Sequence, residues 1–401
     1  MPGKSSIQGV IDHPSNHSST ARVHSVDPAI SSTKTSLLTA SFGEGHLSAA
    51  KGIATALHRK GINSSRPLDL LKEAKPDTVH LLNAAYRMVI TRWPGLWRKL
   101  YHLADTIPIG DSPIDFTQAV TRKLAKHLND YNPDIVVSTY PLYGHLIEQL
   151  LGNSPLPFAL LTVVTDSTTI NSAWLSNTEG HYAVTDKDSA DFFLSNGIPE
   201  ARVHITGFPV NPNLDGPKNS AGNPPPKGPL KILYTPSTPN RLVRRTLETI
   251  GSIQNQPSLR LELTVVLGRH ERRLRQTVED YSPANTRIIG WTNNMPDLLS
   301  SNHLLIGKAG GASVHEALAA GCPMLIDYVV PGQEEGNALK LLRLKCGMMA
   351  ETPEEIASAI KSLLEKDATR LQAMQKAARK HAQRDGAEKV ADLTEKLAIQ
   401  K

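Results

Sequence analysis

Between Leu304 and Leu318 the chain reads LLIGKAGGASVHEAL, an apolar strand running into two glycines and then into a helix that carries Glu316 near its start. Gly310 and Gly311 let the backbone approach a diphosphate. The helix N-terminus offers unpaired N–H groups and the positive end of its dipole, and Glu316 is placed to accept hydrogen bonds from ribose hydroxyls, its plainer role being that of an acidic residue favourable in a first helical turn. Ser313 lies in the same first turn. A second strand, Met324–Ile326, delivers the loop PGQEEGN to the same edge, and its Gln333, Glu334 and Asn337 either are the amide and carboxylate groups that would meet a sugar or form just a polar loop. A parallel α/β sheet builds a nucleotide-sugar pocket in this way.

Gly45-His46 stands where a glycine-rich loop passes into another helix. There the helix dipole disfavours positive charge, which holds the imidazole neutral and able to accept a proton. The plainer role for His46 is to cap or pack the helix. Asp166 ends a strongly apolar strand, and a carboxylate at that edge either faces a ligand crevice, positioning an acceptor, or caps the next turn. His145 leaves another strand at the same edge, as an acceptor-side group or as a surface residue of the following helix. Arg269, after a strand of the second half, either contacts phosphate or joins Arg272 and Arg273 on a solvated helix face. The chain has no paired-histidine motif, no CxxC and no DxD string, so no metal and no other cofactor is expected. Helix dipoles and basic side chains would then neutralise a leaving diphosphate.

These groups need two scaffolds. Strands are predicted at 36–40, 135–138, 160–164, 181–184 and 203–205, separated by helix-length segments, and the first is followed by a helix over 46–60. A second series begins at 231–234 and continues at 263–267, 287–289, 304–306 and 324–326. Between them, 211–229 with its Pro224-Pro225-Pro226 triplet is the clearest linker. The expected architecture is α/β, with two doubly wound Rossmann-like domains, 35–210 and 230–375, facing a cleft. Residues 1–34 read as a disordered leader, and 376–401 as a terminal helix.

With 401 residues, 39% hydrophobic and 20% charged, the composition is that of a soluble globular protein with two cores. No apolar run is long enough to cross a bilayer, and no secretory signal is visible. Cys322 and Cys346 are too few for a disulfide framework, which suggests a cytoplasmic protein. The net charge of +6 favours anionic surfaces.

The strings GKAGGASVHEALAAGCP and PGQEEGNA, with TASFGEGHLSAAKGIA at 39–54, TVVTDSTTINSAW at 162–174 and HITGFPVNP at 204–212, resemble the monogalactosyldiacylglycerol synthase and processive diacylglycerol glucosyltransferase family, relatives of MurG. Five spaced matches in the same order are far more specific than one glycine motif. The resemblance implies a GT-B fold, a UDP-galactose or UDP-glucose donor, a diacylglycerol acceptor, and a last helix that crosses back to the first domain. It also implies that Gly45-His46 carries the catalytic base, that Glu316 binds ribose, and that the turn 290–295, with Thr292 and Met295, reads uracil. Two departures stand out. Asn171 replaces the histidine that plant members carry before the tryptophan of the TD…W loop, and Tyr234–Pro239 contains prolines where the family often has a glycine-rich turn.

The acceptor side is suggested by a helical stripe of Leu82, Tyr86, Val89, Ile90 and Trp93, followed by Leu96, Trp97, Leu100 and Tyr101 and interleaved with Arg87, Arg92, Arg98 and Lys99. Aromatic and basic residues so combined suit a helix resting on anionic headgroups, whereas a core helix with a solvated basic face is the commoner case. The family takes its lipid from the membrane in this region, so the membrane reading is preferred and nucleic acid is not expected. The sequence thus points to an inverting, UDP-sugar-dependent glycosyltransferase acting on a membrane lipid at the cytoplasmic face. A UDP-sugar 2-epimerase or a non-catalytic UDP-sugar-binding protein remain as alternatives.

Overall fold

The computed structural model describes residues 33–93, 95, 97, 115–152, 154–176, 179–214, 227–256, 260–332 and 334–400. Gln333, Arg98, Tyr101, nearly all of the 1–34 leader and residues 215–226 of the linker lie outside them.

The first sheet contains β1 (Thr35–Leu38), β2 (Ile135–Ser138), β3 (Ala159–Val163), β4 (His181–Val184) and β5 (Val203–Ile205), all parallel and in that order. β1 and β2 are buried at every position, with no polar alternation, as a parallel sheet covered on both faces requires. Ser64 and Leu68 form parallel bridges to the free side of β1. The chain therefore reverses its direction of travel across the sheet at β1, and the loop after β1 opens at the switch point, where ligands bind. That loop ends in the helix Glu44–Arg59, which carries His46.

The second sheet is built from β6 (Leu230–Thr235), β7 (Leu261–Val266), β8 (Arg287–Ile289), β9 (Leu304–Lys308), β10 (Met324–Tyr328) and β11 (Gly347–Met349), in the order β11-β10-β9-β6-β7-β8. Its switch point lies between β6 and β9, and β9 runs directly into Gly310 and the helix Gly311–Ala320. The sequence pattern omitted β11, which is only three residues long and sits at the sheet edge.

The helical run Pro353–Lys380 stays on the second domain throughout, with Leu371, Met374 and Ala378 in its cores. The crossing therefore falls at 381–385 rather than at 376. The helix Gly386–Ile399 then packs Val390, Ala391 and Leu397 against Ile53, Ala56 and Leu57 of the His46 helix. Each large aliphatic side chain so buried stabilises by ~1.5–3 kcal/mol. The ion pairs on the same seam, Lys60 with Asp392 and Arg59 with Glu388, are substantially exposed and add less than ~1 kcal/mol each. Apolar packing thus sets where the His46 helix lies.

Candidate active site

His46 enters the cleft from a loop that is fixed on both sides. Gly43, at φ 88° and ψ 162°, adopts a backbone conformation open essentially to glycine alone. Just before it, Ser41 donates its N–H and hydroxyl to the Asp69 carboxylate at 2.8 and 2.5 Å. From the neighbouring strand end, Thr139 donates its hydroxyl to the His46 carbonyl at 3.0 Å, and the Thr139 carbonyl lies 2.8 Å from His46 Nδ1. A carbonyl can only accept, so Nδ1 carries the proton and Nε2 keeps its lone pair. Thr165 Oγ1 lies 2.9 Å from the same Nδ1.

Tyr140 meets the imidazole edge-on with ring centroids 5.0 Å apart, and Trp174 lies 5.9 Å away. Trp174 Nε1 donates to Asp166 Oδ2 at 2.8 Å, holding that carboxylate beside the histidine. Burial lowers the His46 pKa below the ordinary imidazole value; the negative charge of Asp166 and the bond to Thr139 partly offset it. Burial likewise raises Asp166 above the usual carboxylate range, opposed by His46 and by the Trp174 bond. An imidazole that stays neutral beside a carboxylate is a general base whose conjugate acid has a ready partner.

Opposite this pair stands the helix Gly311–Ala320, whose N-terminus has no side-chain cap. Its first N–H groups are available to an anion, and the dipole favours one. A Cβ on Gly311 would lie 3.3 Å from the Thr165 carbonyl of the first domain. A Cβ on Gly336 would meet Thr168 Cβ and Thr169 N, both at 2.9 Å, so these glycines permit the two domains to touch. Thr168 itself sits at φ 67°, a strained value for a β-branched residue, in the loop that carries Asp166.

Lys308, at the end of β9, pairs with the Glu334 carboxylate, whose other oxygen accepts the Val330 N–H at 3.1 Å. The ammonium lies 3.4 Å from the position a Gly310 Cβ would take, which is where a phosphate would approach the glycine backbone. Burial, with the Glu334 charge adding to it, pushes the neighbouring Asp327 carboxyl up to about 7. From about 3.9, the ordinary carboxylate value, up to about 7, the folded protein keeps a proton that the unfolded chain has released. Stability therefore falls as pH rises through that window. Asp327→Asn removes this dependence, so its melting temperature relative to the unsubstituted protein should be more favourable at pH 8 than at pH 5. Calorimetry at both values checks this; a pH-independent difference would contradict it.

A family model described as Monogalactosyldiacylglycerol (MGDG) synthase matches residues 46–210, and one described as Glycosyltransferase family 28 C-terminal domain matches 237–390. Along most of its length the chain is 25% identical to a processive diacylglycerol beta-glucosyltransferase of Bacillus cytotoxicus, covering 86% of this chain and 88% of that one. It is 24% identical to the chloroplastic monogalactosyldiacylglycerol synthase of Spinacia oleracea, over 94% of this chain and 75% of the relative. The first half of the chain thus matches the monogalactosyldiacylglycerol synthase model and the second half the glycosyltransferase family 28 C-terminal model. Among solved structures, Acinetobacter baumannii MurG superposes with a TM-score of 0.55 at 18% identity, over 91% of this chain and 99% of that one. A UDP-GlcNAc 2-epimerase from Neisseria meningitidis gives 0.57 at 15% identity, over 92% of this chain and 100% of that one. Both show the two-domain GT-B-like fold alone, so the epimerase likeness goes no further than architecture.

The structure brings some of the expected site residues together and gives others different roles. His46 and Asp166 come together, facing Gly310, Gly311 and Glu316 across the cleft. Glu316 is half-buried and accepts the Ser48 hydroxyl at 2.5 Å, while Arg269 reaches across to pair with Glu44 at the start of the His46 helix. Ser313 is half-buried in the first turn of its helix; Thr292 accepts the Asn294 N–H at 2.9 Å, and Met295 packs against the second-domain core.

Three residues occupy other roles than those expected. The Asn337 amide is buried and engaged on both sides, donating to the Ala309 carbonyl at 3.1 Å and accepting from Ser167 at 2.8 Å, so it shapes the glycine turn and joins the domains. His145 Nε2 donates to the Ala173 carbonyl at 2.9 Å, bracing the turn that presents Trp174. Tyr86 turns inward rather than onto a membrane face. Burial raises its hydroxyl well above the ordinary value, with Glu334, Tyr328 and Asp166 adding to the shift, and Trp97 meets it edge-on at 4.9 Å. Tyr328 of the second domain donates to the Ile90 carbonyl on the same helix at 2.8 Å. Lys308, Thr139 and Thr165 went unnoticed in the sequence; for Lys308 the signal was its place at a parallel strand's C-terminal edge.

Proposed function

We propose that the chain is an inverting glycosyltransferase that moves a hexose from a UDP-sugar to diacylglycerol. The observation that carries the chemistry is the His46 tautomer: Nδ1–H is committed to the Thr139 carbonyl, so Nε2 is the proton acceptor. Nε2 takes the acceptor hydroxyl proton as that oxygen forms its bond to the anomeric carbon. The bond from that carbon to the diphosphate breaks, and the electron pair leaves with UDP. Asp166 steadies the imidazolium, while the helix N-terminus at Gly311 and the Lys308 ammonium meet the charge on the leaving group. The acceptor therefore attacks from the face opposite UDP. Nuclear magnetic resonance of the product should show the anomeric configuration inverted relative to the donor; retention would refute this mechanism.

The lipid side of the proposal rests on the helix Pro76–Arg92. Its inner face supplies Tyr86 and the Ile90 carbonyl to the cleft, while Leu81, Met88 and, just past its end, Trp93 are 69%, 57% and 52% exposed. Among the described residues no helix is long and apolar enough to cross a membrane. This outer face instead rests on the cytoplasmic side of an anionic bilayer, placing the cleft beside the lipid headgroups. Fully burying a side chain of this size contributes ~1.5–3 kcal/mol, so replacing both Leu81 and Met88 with Asp should weaken binding to anionic vesicles at least about tenfold. UDP affinity should stay as it was. Vesicle flotation with and without the substitutions decides it, and undiminished flotation would remove this helix from the membrane contact.

A further inference from the structure

The His46 helix touches both domains. His46 and Ser48 are two residues apart, so their side chains leave the helix about 200° from one another. His46 faces the Thr139 strand end of its own domain, whereas Ser48 faces the second domain and donates its hydroxyl to Glu316 Oε1 at 2.5 Å. Glu316 is raised above the ordinary carboxyl value by burial; the Ser48 bond and Lys51 act against that shift, and Glu44 adds to it. A carboxylate has about four lone-pair positions on its two oxygens. One held by Ser48 leaves room on the same group for a ribose diol.

We infer that Ser48 is a positioning residue that couples nucleotide recognition to the catalytic base, by joining the carboxylate that reads the ribose to the helix that carries His46. The inference rests on the glycosyltransferase reading above. Other contacts hold the domains together at separate places, among them Ser167 with Asn337 and Lys340 with Asp186, each at 2.8 Å. Loss of Ser48 therefore leaves the cleft assembled and frees one corner of it, the corner at which His46 must be held relative to the donor. Glu316 keeps its carboxylate in Ser48→Ala, and the ribose hydroxyls still find it.

The effect is a split between binding and turnover. Ser48→Ala should change the UDP dissociation constant by less than about threefold, while kcat at saturating UDP-sugar falls about tenfold, because the interaction lost is one that places the base. Ser48→Thr keeps the hydroxyl and restores turnover. Isothermal titration with UDP and steady-state transfer assays supply these two quantities. A third readout is the distance between spin labels at Lys72→Cys and Arg272→Cys, one in each domain; native Cys322 and Cys346 are buried. UDP should narrow that distance distribution in the otherwise unsubstituted protein and in Ser48→Thr, and narrow it less in Ser48→Ala, whose other contacts still join the domains. A dissociation constant raised tenfold with kcat unchanged would reduce Ser48 to part of the ribose site. Equality of Ser48→Ala with the parent in every readout would remove it from the mechanism altogether. If the parent narrows on UDP yet transfers no sugar, the glycosyltransferase reading fails, and the label distances still judge Ser48.

Discussion

His46→Ala should bind UDP as the unsubstituted protein does and transfer sugar about 10²–10⁴-fold more slowly, the usual effect of removing a general base. The side chain meets the Thr139 carbonyl and the Thr165 hydroxyl, both on the first domain, whereas the proposed nucleotide site lies on the second. A loss of rate with unchanged affinity is therefore the pattern expected of a base. The pH profile carries the same information. Burial keeps the imidazole below its ordinary value, so the acid limb of kcat/KM, which marks protonation of His46, should lie below pH 6.5. Stopped assays across pH 5 to 8 measure it, and an acid limb above pH 7 would mean that another group is titrating.

Asp166→Asn should lower turnover by about 10²–10³-fold, since it removes the charge that stabilises the imidazolium. It should not destabilise the fold. The Asn oxygen can still accept from Trp174 Nε1, and the replacement ends the cost of holding a desolvated carboxylate, which is what raises Asp166 above its ordinary value. A melting temperature equal to or above that of the parent at pH 7, together with the rate loss, would assign Asp166 to function. A large drop in melting temperature would assign it to structure instead.

Much of the fold could be read from the sequence because strand and helix periodicity are local. The apolar runs at 135–137 and 304–306 are local signals, and both lie in buried parallel strands. The junction at Gly310 and Gly311 was legible for a similarly local reason, since a strand running through glycines into a helix is written in consecutive residues.

What sequence could not supply was pairing across the fold. Thr139 fixes the His46 tautomer from 93 residues away, and Ser48 reaches Glu316 across 268. Such partners are set by which strand ends share a switch point, and nothing in the local pattern encodes that. Tyr86 illustrates the same limit. Helical spacing put it in one stripe with Leu82 and Trp93, yet packing turned Tyr86 toward Glu334 and left Leu81 and Met88 on the open face. A stripe drawn from spacing cannot tell which of its edges a neighbouring domain will cover. Asn337 reads as a hydroxyl-binding amide in sequence, and its amide is used instead to hold the Ala309 carbonyl and Ser167.

If this cleft joins a UDP-activated hexose to diacylglycerol, the sugar must end in the lipid. Purified protein incubated with radiolabelled UDP-glucose or UDP-galactose and diacylglycerol in anionic vesicles, then extracted with organic solvent, tests it most directly. Label should appear in the lipid phase with at least one donor and be abolished in His46→Ala. Label confined to the aqueous phase with both donors, from protein that demonstrably binds UDP, would contradict it.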